Sequence, residues 1–279
     1  MASLSARQNA LVRAWLGDWE LIADHSWPLQ DTTVIHVRNA DGDHIVKASM
    51  TSHHIGRELR AHKQFLNRLP IPTPRLEYGS AAAGILVTRY LPGELVLGTP
   101  AERLPDVYQQ AGAILRDLQY PGAISNDYLD EVVARARETL ELAHDLLPEP
   151  QLAALVQRVD RFRPRPVRLY FTHGDYQPRN WLYHEGKVSV IDFGRALQRS
   201  WVSDLVRLQH QQFLGRPDLE HAFLDGMKRR LTETDLAVLA METLQASVGT
   251  IVWAHGTNDG AFEQHGRDMV ARILDHAEG

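Results

Sequence analysis

The segment His173-Gly-Asp-Tyr-Gln-Pro-Arg-Asn180 is followed, after a strand-turn-strand stretch, by Val190-Ile-Asp-Phe-Gly194. Asp175 and Asn180 therefore lie before a predicted hairpin, and Asp192 lies at its far end. Either short motif alone recurs by chance. Both motifs in this order, with an asparagine at this offset and a hairpin between them, form a specific signal.

The chain before residue 91 is predicted to form a small antiparallel sheet with two helices. Apolar residues have helical spacing over 7–16. Two β-branched runs, 33–38 and 44–48, flank a turn rich in Asn, Asp and Gly, which is typical of a β-hairpin. A helix is expected over 56–69, ended by the prolines that follow it, and a strand is expected over 84–90.

From about residue 101 onward the apolar spacing is mainly helical, apart from the hairpin and a strand over 167–172. The predicted helical segments are 106–119, 129–147, 150–161, 201–214 and 217–277. The sequence thus predicts an α+β fold. A small N-terminal sheet lobe over 1–91 precedes a larger helical lobe over 92–279.

These motifs resemble the aminoglycoside phosphotransferase and choline kinase superfamily, whose catalytic loop reads His-Gly-Asp-x-x-x-x-Asn and whose metal-binding segment follows on the next hairpin. The order also matches His-Arg-Asp and Asp-Phe-Gly of protein kinases. The resemblance spans roughly residues 20–277. It implies a protein-kinase-like fold of two lobes and an ATP-dependent phosphotransferase that uses magnesium, with GTP as the other candidate nucleotide.

The spacing of the polar residues suits phosphoryl transfer, which depends on aligning an acceptor oxygen and neutralising phosphate charge. Asp175 is the predicted catalytic base, because its carboxylate could accept the proton of a substrate hydroxyl. Asn180 and Asp192 are the predicted metal ligands, since magnesium favours hard oxygen donors. His173 is interpreted as a residue that braces the loop.

The resemblance also assigns residues in the N-terminal lobe. Lys47, on a predicted strand, would contact the nucleotide phosphates and pair with Glu58 on the next helix. The main chain of Arg89, Tyr90 and Leu91, in the segment between the lobes, would bind the edge of adenine.

Two further positions follow from the same comparison. Protein kinases cover the phosphates with a glycine-rich hairpin, but residues 24–33 contain no glycine, so no phosphate ligand is assigned there. Ser26 in this loop could donate to phosphate or serve as a local cap. Asp204 would brace the catalytic loop by resemblance, although an Asp at a helix start is also favoured by the helix dipole.

The acceptor is expected to be a small, cationic molecule. Only nine residues separate Gly194 from Asp204 and no Ala-Pro-Glu follows, which leaves no room for a peptide-docking segment. Residues 124–150 carry seven acidic side chains against two arginines, a local charge of −5. This segment could attract a cation, or it could be the solvated face of an amphipathic helix.

Three functions remain open from the sequence. The first is a resistance kinase for an aminoglycoside or a basic peptide antibiotic, and the second is a metabolic kinase for choline, a sugar or an amino alcohol. The third is a non-catalytic nucleotide-binding interaction module. Intact Asp175, Asn180 and Asp192 disfavour this third function.

Composition excludes or disfavours several classes of partner and binding site. A net charge of −5 disfavours nucleic acid, and zero cysteines exclude disulfides and thiolate metal sites. No close-spaced histidine pattern suggests zinc. No run of about 20 uninterrupted apolar residues indicates a membrane span, and the first residues do not read as a secretory signal. A cytoplasmic protein without membrane contact is therefore expected.

Overall fold

A five-stranded antiparallel sheet forms the N-terminal part of the computed structural model, which describes residues 4–27, 31–51 and 53–275. Its strands are β1 (Glu20–Asp24), β2 (Thr33–Asn39), β3 (Gly42–Ala48), β4 (Leu76–Ser80) and β5 (Ile85–Arg89). They lie in the order β1-β2-β3-β5-β4. The predicted hairpin is present, with Asn39 opposite Gly42 across its turn. Gly42 has φ 118°, a value that favours glycine there.

The two faces of this sheet have different partners. Helix α1 (Ala6–Leu16) covers one face, where Val12 packs in a core that includes Val46 and Ala48 of β3. Because side chains alternate along a strand, Lys47 points to the opposite face. Helix α2 (His53–Gln64) contributes Ile55 and Leu59 to a separate apolar cluster with Leu86 of β5. Leu86 pairs with Lys47 across β3 and β5.

The helix predicted over 56–69 is shorter at its C-terminus than expected. It ends at Gln64, and a 3-10 helix, Leu66–Arg68, takes up part of the remainder. Pro70 keeps Leu69 out of helical backbone angles and so ends the 3-10 helix, whereas α2 itself has already ended at Gln64. The sequence interpretation also missed strand β4, whose Leu-Glu-Tyr-Gly-Ser sequence lacks a clear two-residue alternation.

Residues 1–119, 173–197 and 217–228 cluster as one compact unit, called unit 1. Besides the five-stranded sheet with α1 and α2, unit 1 contains a second sheet and two further helices. The strands of this sheet are β6 (Glu94–Leu95), β9 (Trp181–His184) and β10 (Lys187–Val190), in the order β10-β9-β6. The helices are α3 (Pro105–Leu118) and α7 (Pro217–Met227).

The remaining segments, 120–172, 198–216 and 229–279, cluster as unit 2. Its helices are α4 (Tyr128–Leu142), α5 (Glu149–Arg161), α6 (Val206–His210), α8 (Glu233–Gly256) and α9 (Gly260–Asp275). Its strands are β7 (Pro121–Ser125) and β8 (Val167–Thr172), with β11 (Leu197–Arg199) beginning at the boundary of the units. Helix α8 packs against both α4 and α9.

The predicted α+β fold, with an N-terminal antiparallel sheet and a helical C-terminal part, is confirmed. The division into lobes at residue 91 stays a prediction. Sequence reasoning found one short β region after residue 101, whereas the structure adds strands β7 and β11 around β8. These strands were missed because Pro121-Gly-Ala-Ile-Ser and Leu197-Gln-Arg are too short to show a period.

Helix α8 is long and apolar enough, by length and composition, to cross a membrane. It is not the uninterrupted apolar run considered in the sequence, because Glu242 and Gln245 lie within it. Core helices of globular proteins meet the same criterion, and 44% of the relevant window in α8 is buried within the protein.

Two glycines allow α3 and α7 to approach closely. A Cβ atom on Gly112 would lie 2.0 Å from the Phe223 carbonyl oxygen, and one on Gly226 would lie 2.0 Å from that of Gln109. Both obstacles are backbone atoms, which cannot move aside as a flexible side chain can. Helix α3 in turn holds the loop that carries the His-Gly-Asp motif, because the Tyr176 hydroxyl donates to the Ala111 carbonyl on α3 at 2.6 Å.

We therefore expect Gly226→Ala to lower the free energy of unfolding by about 2 kcal/mol, the scale of an overpacked core. The matched control is Gly249→Ala in the middle of α8, where the nearest atom to the added methyl group would be 3.8 Å away. Alanine there should be neutral or stabilising by about 0.5–1 kcal/mol. Urea unfolding followed by circular dichroism measures both. Equal effects of the two substitutions would contradict the close helix contact.

Candidate active site

Lys47 lies between two carboxylates in unit 1. Its Nζ atom is 3.0 and 3.1 Å from the two carboxylate oxygens of Glu58 on α2, and 3.1 Å from Oδ1 of Asp192. The structure therefore brings together three of the predicted site residues. It joins β3 and α2, which follow one another in sequence, to the segment after β10, where Asp192 lies 145 residues beyond Lys47.

The charges of these groups depend on one another. Burial favours a neutral Lys47, but the carboxylates of Asp192 and Glu58 outweigh it and raise the pKa of the amine above its ordinary value. The charge of Lys47 holds the pKa of Asp192 well below the usual range for aspartate. Burial raises the pKa of Glu58, against the opposing effect of Lys47.

Asp175 and Asn180 lie together in the loop after β8. The loop passes through Gly174 with φ 82°, which explains the glycine of the His-Gly-Asp motif. A 3-10 helix, Pro178–Asn180, then turns the chain back. The Asn180 amide nitrogen donates to the main-chain oxygen of Asp175 at 2.8 Å and to its Oδ2 at 3.2 Å.

His173 is fully buried and links this loop to the segment that carries Asp192. Its Nδ1 accepts a hydrogen bond from the Asp175 main-chain N–H at 3.2 Å. Its Nε2 lies 2.9 Å from the Ile191 carbonyl oxygen, to which it donates. One ring nitrogen accepts while the other donates, which is the pattern of a neutral imidazole. These contacts agree with the interpretation of His173 as a brace.

The carboxylate of Asp175 is 5% exposed and has three side-chain donors. Gln177 donates its amide N–H to Oδ1, and Arg179 donates from Nη2 to Oδ2 at 2.6 Å. Asn180 is the third donor. Sequence reasoning assigned no role to Gln177 or Arg179, although both lie inside the motif. The sequence did carry a signal for them, because side chains two and four residues after Asp175 in a tight loop lie close enough to contact its carboxylate.

The donor set of Asn180 and Asp192 fits a magnesium ion. The hydrogen bonds of Asn180 engage its amide nitrogen and leave its Oδ1 without a donor among the described residues. Asp192 has φ 68°, a left-handed conformation that aspartate tolerates, and its side chain is 48% exposed. No donor among the described residues reaches its Oδ2. Magnesium characteristically takes one or two protein oxygens and completes its shell with phosphate and water.

Clusters of histidine and carboxylate side chains are a second kind of ion site. The described part of the chain has no group of three or more His, Cys, Asp or Glu side chains that could hold an ion.

Main-chain hydrogen bonds within the protein reduce the number of N–H groups that the predicted adenine-binding segment can offer. The N–H of Arg89 donates to the Arg75 carbonyl at 2.9 Å, and that of Tyr90 donates to the Asp43 carbonyl at 3.1 Å. Both donors are therefore already used. Within the described residues, the N–H of Leu91 has no such partner, so it is the donor that remains for a nucleotide base.

The loop predicted over 24–33 lies only partly within the structure, because residues 28–30 are outside the described range. The hydroxyl oxygen of Ser26 accepts from the Val34 N–H at 3.0 Å, a contact across the loop to β2 and not a local cap. Asp204, expected to brace the catalytic loop, is buried in unit 2 within a 3-10 helix, Trp201–Leu205. Its bracing role stays a prediction.

Aromatic and histidine rings surround the two motifs. Phe193 lies beside His173, with ring centroids 4.7 Å apart, and 6.0 Å from His62 of α2. Burial and the charge of Lys47 lower the pKa of His62 to about 4, so it is neutral at pH 7. His54 also lies 2.8 Å, through Nδ1, from the Gly194 carbonyl oxygen. These contacts attach α2 to the Asp-Phe-Gly segment, and sequence patterns did not indicate them.

Comparisons with known proteins agree with this arrangement. The sequence profile of the phosphotransferase enzyme family matches residues 28–241. No curated protein sequence is significantly similar to the chain.

Solved structures share the fold at low sequence identity. APH(2")-IIia in complex with GDP and kanamycin superposes with a TM-score of 0.70 at 13% identity, covering 98% of this chain and 100% of that one. The macrolide 2'-phosphotransferase MphH from Brachybacterium faecium has a TM-score of 0.65 at 17% identity, with 94% and 97% coverage. A thermostable mutant of the aminoglycoside phosphotransferase APH(4)-Ia, with ADP and hygromycin B, gives 0.68 at 12% identity, with 99% and 100% coverage.

The family profile spans most of the chain, including both motifs and Lys47, and the kinase-like fold accommodates all of them. The chain therefore belongs to the phosphotransferase enzyme family, and it is a small-molecule kinase.

Proposed function

We propose that this kinase transfers the γ-phosphoryl group of ATP to a hydroxyl of a cationic antibiotic, either an aminoglycoside or a basic peptide antibiotic. The observation that carries the proposal is the placement of Asp175 and Asn180 in one loop, joined through His173 to the segment carrying Asp192. Aminoglycosides and a nucleotide are bound by the structural relatives APH(2")-IIia and APH(4)-Ia, which supports the choice of acceptor.

In this proposal Asp175 orients the acceptor hydroxyl and takes its proton as the new P–O bond forms. The bond between the γ-phosphorus and the β-phosphate oxygen breaks, and ADP leaves with that oxygen. Lys47 contacts the phosphate chain, while Glu58 keeps the ammonium group directed into the site. The Leu91 N–H binds the base.

Asn180 Oδ1 and the carboxylate of Asp192 would hold magnesium. When bound, the ion supplies positive charge that neutralises the phosphates. It also offsets the charge of the Lys47 cluster, in which one ammonium faces two carboxylates.

Asp175→Asn tests the catalytic role. The variant keeps the size of the side chain but loses the base, so turnover should fall by at least ~10²-fold. Folding and Mg-ATP binding should change little. Turnover is measured with the best acceptor from a panel of cationic antibiotics and amino alcohols.

The control for this substitution is Asp18→Asn, a fully exposed carboxylate after α1. It should leave turnover unchanged. Near-wild-type turnover in Asp175→Asn would refute the assignment. If the wild type phosphorylates only neutral sugars or simple amino alcohols, the enzyme is a metabolic kinase instead.

Asp192→Ala should abolish detectable magnesium-dependent nucleotide binding, because it removes the anionic ligand. Asn180→Ala should weaken that binding less, since it removes a neutral oxygen. The readout is the thermal shift produced by ATP with magnesium, compared with ATP in the presence of EDTA. A wild-type magnesium response in Asp192→Ala would show that the metal site is misplaced.

The acidic segment 124–150 is proposed to hold part of the cationic acceptor. Its seven acidic side chains are all exposed, and the buried face of α4 points the other way, toward residues such as Val132 and Ala136. Two arginine pairs, Arg135 with Glu131 and Arg137 with Asp160, reduce the negative charge only in part. A solvated face would have the same geometry, so binding must be measured.

Neutralising Asp127, Asp130 and Glu131 together should raise the KM of the best cationic acceptor while leaving that of Mg-ATP nearly unchanged. The effect should shrink at high ionic strength, because exposed charges are screened over about 8–10 Å at physiological salt. Steady-state kinetics at low and high salt measure both. If acceptor binding is unaffected by the triple change, this face is only a solvated helix surface.

A further inference from the structure

The side chains that hydrogen-bond to Asp175 limit how an acceptor hydroxyl can approach its carboxylate. Both carboxylate oxygens of Asp175 already accept hydrogen bonds from side chains. The acceptor hydroxyl must therefore approach an oxygen that is shared with Gln177, Arg179 or Asn180.

Only one of these three donors reaches solvent. Gln177 and Asn180 are each 5% exposed, whereas the side chain of Arg179 is 38% exposed. Arg179 bonds Oδ2 of Asp175 at 2.6 Å. The accessible approach to this carboxylate therefore passes beside the Arg179 guanidinium group.

Arg179 also has unused hydrogen-bonding capacity. A guanidinium group carries five N–H donors, and no atom of it other than Nη2 has a protein partner among the described residues. The remaining donors form a rigid planar fork that suits oxygen acceptors. A substrate oxygen next to the reacting hydroxyl could be bound there.

On these contacts, which concern the acceptor of the proposed kinase, we propose that Arg179 is a specificity-determining residue. It binds the substituent beside the reacting hydroxyl, so the enzyme selects a hydroxyl, ether or anionic oxygen at that position. It rejects an ammonium group there, because two like charges would meet at hydrogen-bond distance.

This selectivity is compatible with an acceptor that is cationic overall. The ammonium groups of such a molecule would lie away from the reacting hydroxyl and out of reach of Arg179. Arg179 then decides which of several hydroxyl groups is phosphorylated.

Regiochemistry on one molecule provides the test. Kanamycin carries hydroxyls beside ammonium groups and hydroxyls flanked only by oxygen substituents, so the two classes compete under identical conditions. Glucose and glucosamine extend the comparison to a neutral and a cationic sugar. Products are mapped by phosphorus and proton NMR after long incubation with excess enzyme, so that a slow variant still yields enough product.

We expect the wild type to phosphorylate a hydroxyl with oxygen neighbours in every molecule of the panel that it accepts. Arg179→Met should raise the share of product at ammonium-flanked hydroxyls about tenfold relative to the wild type, which corresponds to the loss of one charged contact. Arg179→Lys, which keeps the charge, should retain most of the selectivity. Added guanidinium should restore part of it to Arg179→Met.

Arg7→Met, on the exposed face of α1, is the matched control and should keep the wild-type product pattern. The proposal is overturned if the main product of the wild type is phosphorylated at an ammonium-flanked hydroxyl, or if Arg179→Met keeps the wild-type pattern. Unfolding of Arg179→Met is checked by its thermal midpoint, and Arg179→Gln then replaces it under the same criteria. Absence of any wild-type kinase activity on the panel would instead count against the proposed function.

Discussion

The ion pairs of Lys47 are the interaction on which the site depends. The side chain of Lys47 is 15% exposed, and it pairs with Glu58 on the next helix and with Asp192 far along the chain. These ion pairs join α2 and the segment after β10 to the sheet, in addition to the apolar contacts of Ile55 and Leu59. With two carboxylates for one ammonium, the cluster is left with net negative charge. A triphosphate would add to that charge, which gives a physical reason for a divalent cation in the site.

His173 provides the second link. Its ring accepts from one main-chain group and donates to another, so it fixes the distance between the Asp175 loop and the Asp192 segment. Tyr176 attaches the same loop to α3, and the close contact of α3 with α7 depends on Gly112 and Gly226. The loop is thus positioned by a buried polar bond on one side and by helix packing on the other.

Two electrostatic features of opposite sign bear on the acceptor. Arg179 places positive charge against Asp175, while α4 presents an exposed acidic face in the other unit. The first acts at hydrogen-bond distance on a carboxylate that is 5% exposed. The second acts through solvent and is screened by salt. The contact of Arg179 with Asp175 is therefore less sensitive to salt than the field of the α4 face.

The sequence by itself determined the α+β class, the β2–β3 hairpin and most helices, and it predicted Lys47, Glu58, Asp175, Asn180 and Asp192 as site residues. These features depend on local periodicity and on short motifs, which neighbouring residues encode. Only the tertiary structure decided that Lys47 contacts Asp192 as well as Glu58, that the N–H groups of Arg89 and Tyr90 are already used, and that Arg179 lies over Asp175. Such contacts depend on which side chains the fold brings together in space, and strands as short as β6, β7 and β11 form only when a partner strand is already in place.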